Sequence, residues 1–270
     1  MSYMGMIPTM VDYCAYLANR REQQPLNSGN PGRISILEIG VDRGQTSIPL
    51  MHNLTHRGIC FDWVGVDIRQ DDCLAQQLIL MEGLELAQLE GTEPKGKDAH
   101  YIIENSLEFL KDDLNVFDLI LIDGDHNYDT VKIELSHLDR ITHDLSLVIC
   151  DDYGGRHANT DTFYQTYDSH KDLKDLSTHL DAENNKGGVT RAVNEFIESS
   201  RWNIQTFGDE DPAILTRKLT VEITDLMLIT DRTSGNVIRH PEGIRHRFGL
   251  LESSQSKSEF VNMPAPGSKV

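Results

Sequence analysis

Long hydrophobic runs, an excess of basic residues and paired cysteines are all missing from this sequence of 270 residues. No apolar run approaches the roughly 18 residues that a membrane-spanning helix needs, so we expect no membrane segment. Lysine and arginine together number 25 against 43 acidic residues, which gives a formal net charge of −18. Because phosphate backbones and anionic lipids repel such a chain, we expect neither a nucleic-acid partner nor a membrane partner.

Cysteine is sparse, and no pair has the C-x-x-C spacing of a redox or zinc motif. The four cysteines are Cys14, Cys60, Cys73 and Cys150. The first residues, MSYMGMIPTMVDY, lack the basic start and long apolar stretch of a signal peptide. These features predict reduced thiols and a cytoplasmic location. A hydrophobic content of 39% excludes a disordered acidic tail.

Short apolar runs rich in β-branched residues alternate with longer segments of helical period in the first 151 residues. The predicted strands cover 34–40, 61–68, 100–105, 117–123 and 145–151. The predicted helices start near Thr46, Asp71, Ser106 and Asp129. Asp129 is expected to cap its helix, with one face formed by Val131, Leu135, Leu138 and Thr142. This alternation is typical of an α/β fold in which helices cover both faces of a parallel sheet.

The pattern changes after residue 151. Residues 153–187 are polar and aperiodic, which favours a lid or acceptor-recognition loop, although a variable surface insertion has the same composition. The side chains of interest there are Tyr153, Arg156, His157, Phe163, Tyr164 and Tyr167. Helical period returns over 188–200. Further strands are predicted near 202–207, 213–217 and 221–231.

We expect one domain over residues 1–225, followed by a C-terminal extension over 226–270 whose end is poorly tied down. The domain is predicted to open with an amphipathic helix over 9–22, capped by Thr9 after Pro8.

Small and acidic residues end the first two predicted strands. Glu38 and Gly40 close the first strand, and Gly44 leads into a helix whose free N–H groups, near Thr46, can bind an anion. Asp67 closes the second strand, where a carboxylate can hold ribose hydroxyls. A tight strand–helix turn and a helix cap are the structural alternatives. Asn105 and Ser106 end the third strand and can meet an adenine edge, while Ser106 can also cap the next helix.

Carboxylates are concentrated after the fourth and fifth predicted strands. Asp123, Asp125 and His126 follow one strand, and Asp151 and Asp152 end the next. Neighbouring parallel strands end at one edge of a sheet, so Asp123, Asp151 and Asp152 are expected to lie close together. A cation would neutralise them, and oxygen ligands favour Mg²⁺ or Ca²⁺ over zinc. The alternative is that these acids cap helices and line a solvated loop.

Together, the E-x-G-x-x-x-G turn, the IDGDHNY and DDYGG strand ends and the GVTRAVNEF helix resemble a class I S-adenosylmethionine-dependent methyltransferase. The likeness covers roughly residues 34–218. It is closer to the metal-dependent O-methyltransferases of the macrocin and aminocoumarin-sugar type. That resemblance implies a Rossmann-like methyltransferase fold with a seven-stranded sheet. Asp42 departs from the family pattern, since a glycine often occupies this place.

The resemblance also implies a role for each residue of the site. A methyl-donor site for S-adenosylmethionine is implied for Glu38, Gly40, Gly44, Thr46, Asp67, Asn105, Ser106 and Asp123. A Mg²⁺ site, or a site for another hard divalent cation, is implied for Asp123, Asp151 and Asp152. The general base would be Asp125, in competition with His126, which replaces the usual apolar residue.

We therefore expect a Mg²⁺-dependent O-methyltransferase that acts on a hydroxyl of a small molecule, such as a sugar or vicinal diol. Two alternatives stay open. One is a dinucleotide-dependent oxidoreductase, which Asp67 allows but for which the glycine fingerprint is missing. The other is a non-catalytic cofactor-binding module. Self-association is expected from the family resemblance alone.

Overall fold

The computed structural model describes residues 3–23, 32–69, 78, 97–112, 115–162, 184–206, 212–218, 228–230 and 237–239. The strands are β1 (Ile34–Ile39), β2 (Phe61–Asp67), β3 (Lys97–Ile103), β4 (Phe117–Ile122), β5 (Thr142–Cys150), β6 (Trp202–Gln205), β7 (Ala213–Arg217), β8 (Leu228–Thr230) and β9 (Val237–Arg239). The helices are α1 (Tyr3–Gln23), α2 (Ser47–His56), α3 (Ser106–Asp112), α4 (Tyr128–Ser136), α5 (Leu138–Ile141) and α6 (Gly188–Ser199).

Seven of these strands form one sheet in the order β3-β2-β1-β4-β5-β7-β6. Strands β1 to β5 are parallel, whereas β7 runs antiparallel to both β5 and β6. Strands β8 and β9 pair with each other in a separate two-stranded sheet. The predicted fold is thus confirmed as a doubly wound, Rossmann-like methyltransferase architecture with a mostly parallel seven-stranded sheet.

The apolar runs form a core on each face of this sheet. Successive residues of β4 alternate between the two cores: Leu119 and Leu121 pack with α1 and α2, while Ile120 and Ile122 pack with α4 and α6. All six residues of β4 are buried. A strand covered on both faces has no solvent side, which explains the continuous apolar sequence of the central strands.

The first helix is longer than the sequence predicts. It begins at Tyr3 and contains Pro8, so Thr9 does not cap it. Met6 and Ile7 are buried in the core at 3% and 7% exposure. Their burial favours the additional turn, although the proline lacks the N–H group that an internal helical position would donate.

Two further boundaries are wrong in the prediction. Asn127, not Asp129, precedes α4 as the N-cap residue. Thr142 does not extend the helical face, because the helix ends at Ser136 and Thr142 begins β5. The Thr142 hydroxyl donates to the carbonyl oxygen of Leu138, which closes the short helix α5 at the point where the strand starts.

Several predictions fall outside the described residues. These are the helix near Asp71 apart from residue 78, the lid residues Phe163, Tyr164 and Tyr167, and most of residues 221–270. The domain boundaries, the cytoplasmic location and self-association stay predictions. Among the described residues, no helix has the length and hydropathy required to span a membrane.

Candidate active site at the carboxyl edge of the sheet

The carboxyl ends of the parallel strands are joined by backbone hydrogen bonds that continue past the strands. The Gly40 N–H donates to Val66 O at 2.9 Å, and the Asp123 N–H donates to Ile39 O at 2.8 Å. The Asp151 N–H donates to Ile122 O at 2.9 Å. The loops after β1, β4 and β5 therefore begin in register at one edge, as expected for a ligand site in an open parallel sheet.

Gly40 allows the loops after β1 and β4 to touch. Its φ is +80°, and a Cβ atom at this position would lie 2.0 Å from the carbonyl oxygen of Asp123. Only glycine fits there without a backbone shift. Gly44 also has a positive φ of 71°, and its N–H donates to Val41 O at 2.8 Å. The result is a tight turn that leads into α2.

Asp67 fastens this turn from the neighbouring strand. Its Oδ2 accepts the N–H groups of Val41 at 3.0 Å and Asp42 at 2.9 Å. Its Oδ1 accepts the N–H of Arg69 at 3.2 Å. Asp67 therefore anchors the turn to the end of β2, and its predicted contact with ribose stays a prediction.

Glu38, which the resemblance assigns to the methyl-donor site, is buried at the end of β1. It is 2% exposed, and its Oε2 accepts the indole N–H of Trp63 at 3.0 Å. Burial raises its pKa to about 7. Thr46 precedes α2 and is also buried, at 8% exposure, with no side-chain capping bond.

Asn105 and Ser106, just after the end of β3, have different hydrogen-bond partners. The Asn105 Oδ1 accepts the N–H of Leu107 at 2.8 Å, so Asn105 caps α3 and the alternative with Ser106 as the cap is wrong. The Ser106 hydroxyl donates instead to Glu134 Oε1 at 2.6 Å. Glu134 was not predicted as part of this region. It is 1% exposed, and burial raises its pKa to about 8.

The acidic residues after β4 and β5 converge around one imidazole. His126 Nε2 lies 3.2 Å from Asp123 Oδ1 and 3.5 Å from Asp152 Oδ2. Ligand atoms of Asp123, His126 and Asp151 lie within 4.8 Å of one another. The structure therefore brings together the three predicted metal ligands and one of the two predicted bases.

The charges of this cluster affect one another. Burial raises the pKa of Asp151 to about 7, and the negative charges of Asp123 and Asp152 add to that effect. Burial opposes protonation of His126, but its hydrogen bond to Asp123 and the charges of Asp152 and Asp151 outweigh burial and raise its pKa. The cluster thus has more negative charge than its own imidazole offsets, which is the condition that a bound cation relieves.

Asp125 is separated from this cluster by its hydrogen bonds. Its Oδ1 accepts the N–H of Asn127 at 3.1 Å, and its Oδ2 accepts the hydroxyl of Thr130. Both oxygens therefore bind the first turn of α4.

His157 is a site residue that the sequence placed only in the acceptor loop. Its ring stacks on His126 with 4.9 Å between centroids and 21° between planes. Ligand atoms of His126, Asp152 and His157 lie within 4.8 Å of one another. The spacing of five residues from Asp152 has no periodicity that could have revealed this contact. The other described lid side chains point elsewhere: the Tyr153 hydroxyl donates to Asn194 at 2.8 Å, and Arg156 is exposed.

One known protein family matches part of the chain. Residues 37–153 match the family described as "Methyltransferase domain". This segment contains the glycine turn, Asp67, the Asn105–Ser106 pair and all three acids of the cluster. Over this segment, 117 of the 270 residues, the chain is similar to a methyltransferase domain. No curated protein matches the chain.

Several solved methyltransferase structures are similar at low identity. The Podospora anserina methyltransferase PaMTH1, bound to SAH, is 15% identical over 78% of this chain and 75% of its own, with a TM-score of 0.45. Apo CalS11, a TDP-rhamnose 3′-O-methyltransferase of calicheamicin biosynthesis, is 13% identical over 77% and 79%, with a TM-score of 0.45. MycE from the mycinamycin pathway, in complex with Mg and SAH, is 14% identical over 76% and 48%, with a TM-score of 0.42.

Proposed function

We propose that the protein is a divalent-cation-dependent O-methyltransferase that uses S-adenosylmethionine to methylate a hydroxyl of a small molecule, such as a sugar or vicinal diol. One observation carries the proposal. Three carboxylates and an imidazole, from Asp123, Asp151, Asp152 and His126, converge at the edge where the methyltransferase domain has its glycine turn. In this proposal, the donor would bind beside a charged site for an oxygen nucleophile.

The donor would be held by the turn over 40–44, the end of β2 and the residues before α3. The turn fits such a ligand because Gly40 and Gly44 present backbone without side chains. The anion site predicted near Thr46 is not available as expected, because the Ile48 N–H donates to Gly44 O at 3.0 Å and Pro49 has no N–H. Asp67 fixes the turn through two N–H groups. When bound, S-adenosylmethionine supplies a methyl group whose bond to sulfur breaks with both electrons left on sulfur.

The cation would be held by Asp123, Asp151 and Asp152. These residues fit a hard divalent ion such as Mg²⁺ because carboxylate oxygens are its preferred protein ligands. Burial and the negative charges of Asp123 and Asp152 raise the pKa of Asp151, and a cation would relieve that repulsion. When bound, the ion lowers the pKa of a hydroxyl that coordinates it and orients that hydroxyl.

His126 is the stronger candidate for the residue that removes the hydroxyl proton. Its Nε2 faces the cluster, whereas both oxygens of Asp125 bind α4. In the proposed reaction, the acceptor oxygen forms a bond to the methyl carbon and the hydroxyl proton passes to His126, whose ring would be neutral when a cation, rather than a proton, offsets the carboxylates. Asp125 then acts by placing His126 at the start of the helix.

Transfer of a labelled methyl group from S-adenosylmethionine to a panel of sugars, vicinal diols and catechols tests this proposal. Asp152→Asn keeps the side-chain shape and removes the charge, so we expect transfer to fall by at least about 10-fold. Asp144→Asn is the matched control, because Asp144 is exposed near the opposite end of β5. Equal loss in both variants, or no transfer to any acceptor by the unmodified chain, would contradict the proposal.

Cofactor choice separates this function from that of an oxidoreductase. We expect S-adenosylhomocysteine to raise the thermal unfolding midpoint of the chain and NADH to leave it unchanged, because ligands stabilise only the folded state that binds them. The reverse result would favour the dinucleotide alternative. Binding of S-adenosylhomocysteine without transfer to any acceptor would favour the non-catalytic module.

A further inference from the structure

The acidic cluster has a second imidazole beside it, and this imidazole comes from the segment after β5. His157 stacks on His126, and a ring nitrogen of His157 lies within 4.8 Å of both a ring nitrogen of His126 and a carboxylate oxygen of Asp152. Donor atoms that bind one metal ion at about 2 Å lie roughly 3–4 Å apart in a closed site. His157 therefore needs only a small adjustment to bind an ion that Asp152 also binds.

Asp152 also stabilises the turn that places His157 beside the cluster. Its backbone has a φ of 54°, in the left-handed region that aspartate tolerates better than most residues. Its Oδ1 accepts the N–H of Arg156 at 2.9 Å, while its Oδ2 faces His126 at 3.5 Å. A Cβ atom at Gly155 would lie 2.0 Å from Asp152 Oδ1, so the turn requires this glycine. One carboxylate thus joins the cluster to the segment that carries the second imidazole.

The backbone of His157 is fixed against the start of α6. Its carbonyl oxygen accepts the N–H of Val189 at 3.4 Å, and the next carbonyl, of Ala158, accepts the N–H of Thr190 at 2.9 Å. Gly188 permits this contact, since a Cβ atom there would lie 2.4 Å from His157 O. The position of His157 is thus set by two elements.

One nitrogen of the His157 ring already has a partner. Its Nδ1 lies 3.3 Å from the hydroxyl of Thr162, which leaves Nε2 for another ligand. A histidine that binds a metal through one nitrogen usually has its other nitrogen engaged in this way, because the second bond fixes the tautomer and the ring direction.

We propose that His157 is a nitrogen ligand of the cation held by Asp123, Asp151 and Asp152, and that it makes the site prefer a first-row transition cation to Mg²⁺. Magnesium favours oxygen ligands and binds imidazole poorly, whereas Mn²⁺, Fe²⁺ and Co²⁺ accept mixed nitrogen and oxygen ligands. The inference deepens the proposed function, since it uses the same cation site. It concerns binding of the ion and requires neither the donor nor the acceptor.

Titration of the full chain with Co²⁺ alone and with Mg²⁺ alone tests this inference, by calorimetry and by the visible absorption of bound Co²⁺. His157→Phe keeps an aromatic ring on His126 but removes the nitrogen. We expect its Co²⁺ affinity to fall by at least about 10-fold, its Mg²⁺ affinity to change little, and the Co²⁺ spectrum to shift. Arg156→Ala, in the same turn and exposed, is the control and should match the unmodified chain.

A second variant keeps the inference testable if His157→Phe does not fold. His157→Gln offers an amide oxygen in place of nitrogen, so we expect it to bind both ions while losing the preference for Co²⁺. An unchanged ratio of Co²⁺ to Mg²⁺ affinity in both variants would overturn the inference. Absence of Co²⁺ binding to the unmodified chain would overturn it as well. Failure of methyl transfer with these binding results intact would contradict the proposed function alone.

Discussion

Glu134 shows how one buried carboxyl group couples stability to pH. It is 1% exposed, its Oε1 accepts the Ser106 hydroxyl, and its Oε2 has no hydrogen-bond partner among the described residues. Burial raises its pKa to about 8, from an ordinary value of 4.5. At neutral pH the group is therefore largely protonated in the folded protein and ionised in the unfolded chain.

Replacement of Glu134 by Gln should remove this dependence. Between pH 4.5 and about 8 the folded state binds a proton that the unfolded state does not, so the contribution of Glu134 to the free energy of unfolding falls as pH rises through that window. We expect Glu134→Gln to lose less stability than the unmodified chain between pH 5 and pH 8.5, by urea unfolding. Glu108→Gln, on the exposed face of α3, is the control. Parallel pH profiles for Glu134→Gln and the unmodified chain would contradict the assignment.

Gly40 is the glycine on which the contact between the β1 and β4 loops depends. Gly40→Ala introduces both a strained φ and a clash with the Asp123 carbonyl, whereas Gly58→Ala introduces strain alone, since nothing lies within 4 Å of its Cβ. We expect Gly58→Ala to cost about 1–2 kcal/mol of unfolding free energy and Gly40→Ala to cost clearly more. Equal costs in thermal or urea unfolding would show that the loops do not need this close approach.

At the scale of elements, the first part of the predicted lid, residues 158–162, is tied to the start of α4. Asn127 is 2% exposed; its Nδ2 donates to Thr162 O at 3.0 Å and its Oδ1 accepts the Thr162 N–H. Asp161 accepts the N–H of Tyr128 at 2.6 Å. These bonds hold residues 158–162, and with them His157, against the helix that follows His126.

Asn127→Ala should therefore loosen this segment. Loss of a buried side chain with two backbone partners typically costs about 1–3 kcal/mol for the polar groups left unpaired. We expect that decrease in unfolding free energy, and faster amide exchange over residues 158–162 than in the unmodified chain. Asn53→Ala removes one exposed bond to Pro49 O and should change neither quantity. Unchanged exchange in Asn127→Ala would contradict the role of Asn127.

Strands were easier to predict than helix boundaries for a physical reason. Burial on both faces leaves β4 as an uninterrupted apolar run, which the sequence displays directly. The sequence gives no signal for the end of α4. Leu138 keeps the spacing of the helical face, although α4 ends at Ser136 and a separate short helix, α5, begins at Leu138. Pro8 suggested a later start for α1 than the structure shows, because packing of Met6 in the core favours a helix that begins before the proline.

The same distinction applies to the site. The convergence of Asp123 and Asp151 follows from strand order alone, so it could be predicted. The direction of a side chain in a loop depends on local partners: Thr130 turns Asp125 toward α4, and the left-handed backbone of Asp152 turns His157 toward His126. No spacing in the sequence encodes either contact.

At the scale of the whole molecule, the net charge of −18 is spread over acids with different tasks. Asp118, near the start of β4, is 1% exposed and forms ion pairs with Arg21 and His143. Asp161 accepts the N–H of Tyr128 and so fixes the loop that contains it. The cluster at the opposite, carboxyl edge has two imidazoles, but among the described residues no lysine or arginine side chain forms an ion pair with its carboxylates. Its charge is therefore left for a cation to neutralise.

Chelation is the measurement that tests the central claim most directly. Transfer of a labelled methyl group and binding of S-adenosylhomocysteine are followed in the same sample before treatment with EDTA, after it, and after a divalent cation is restored. We predict that EDTA abolishes transfer, leaves S-adenosylhomocysteine binding largely intact, and that the restored cation recovers transfer. Transfer that persists after thorough chelation would contradict a catalytic cation at Asp123, Asp151 and Asp152.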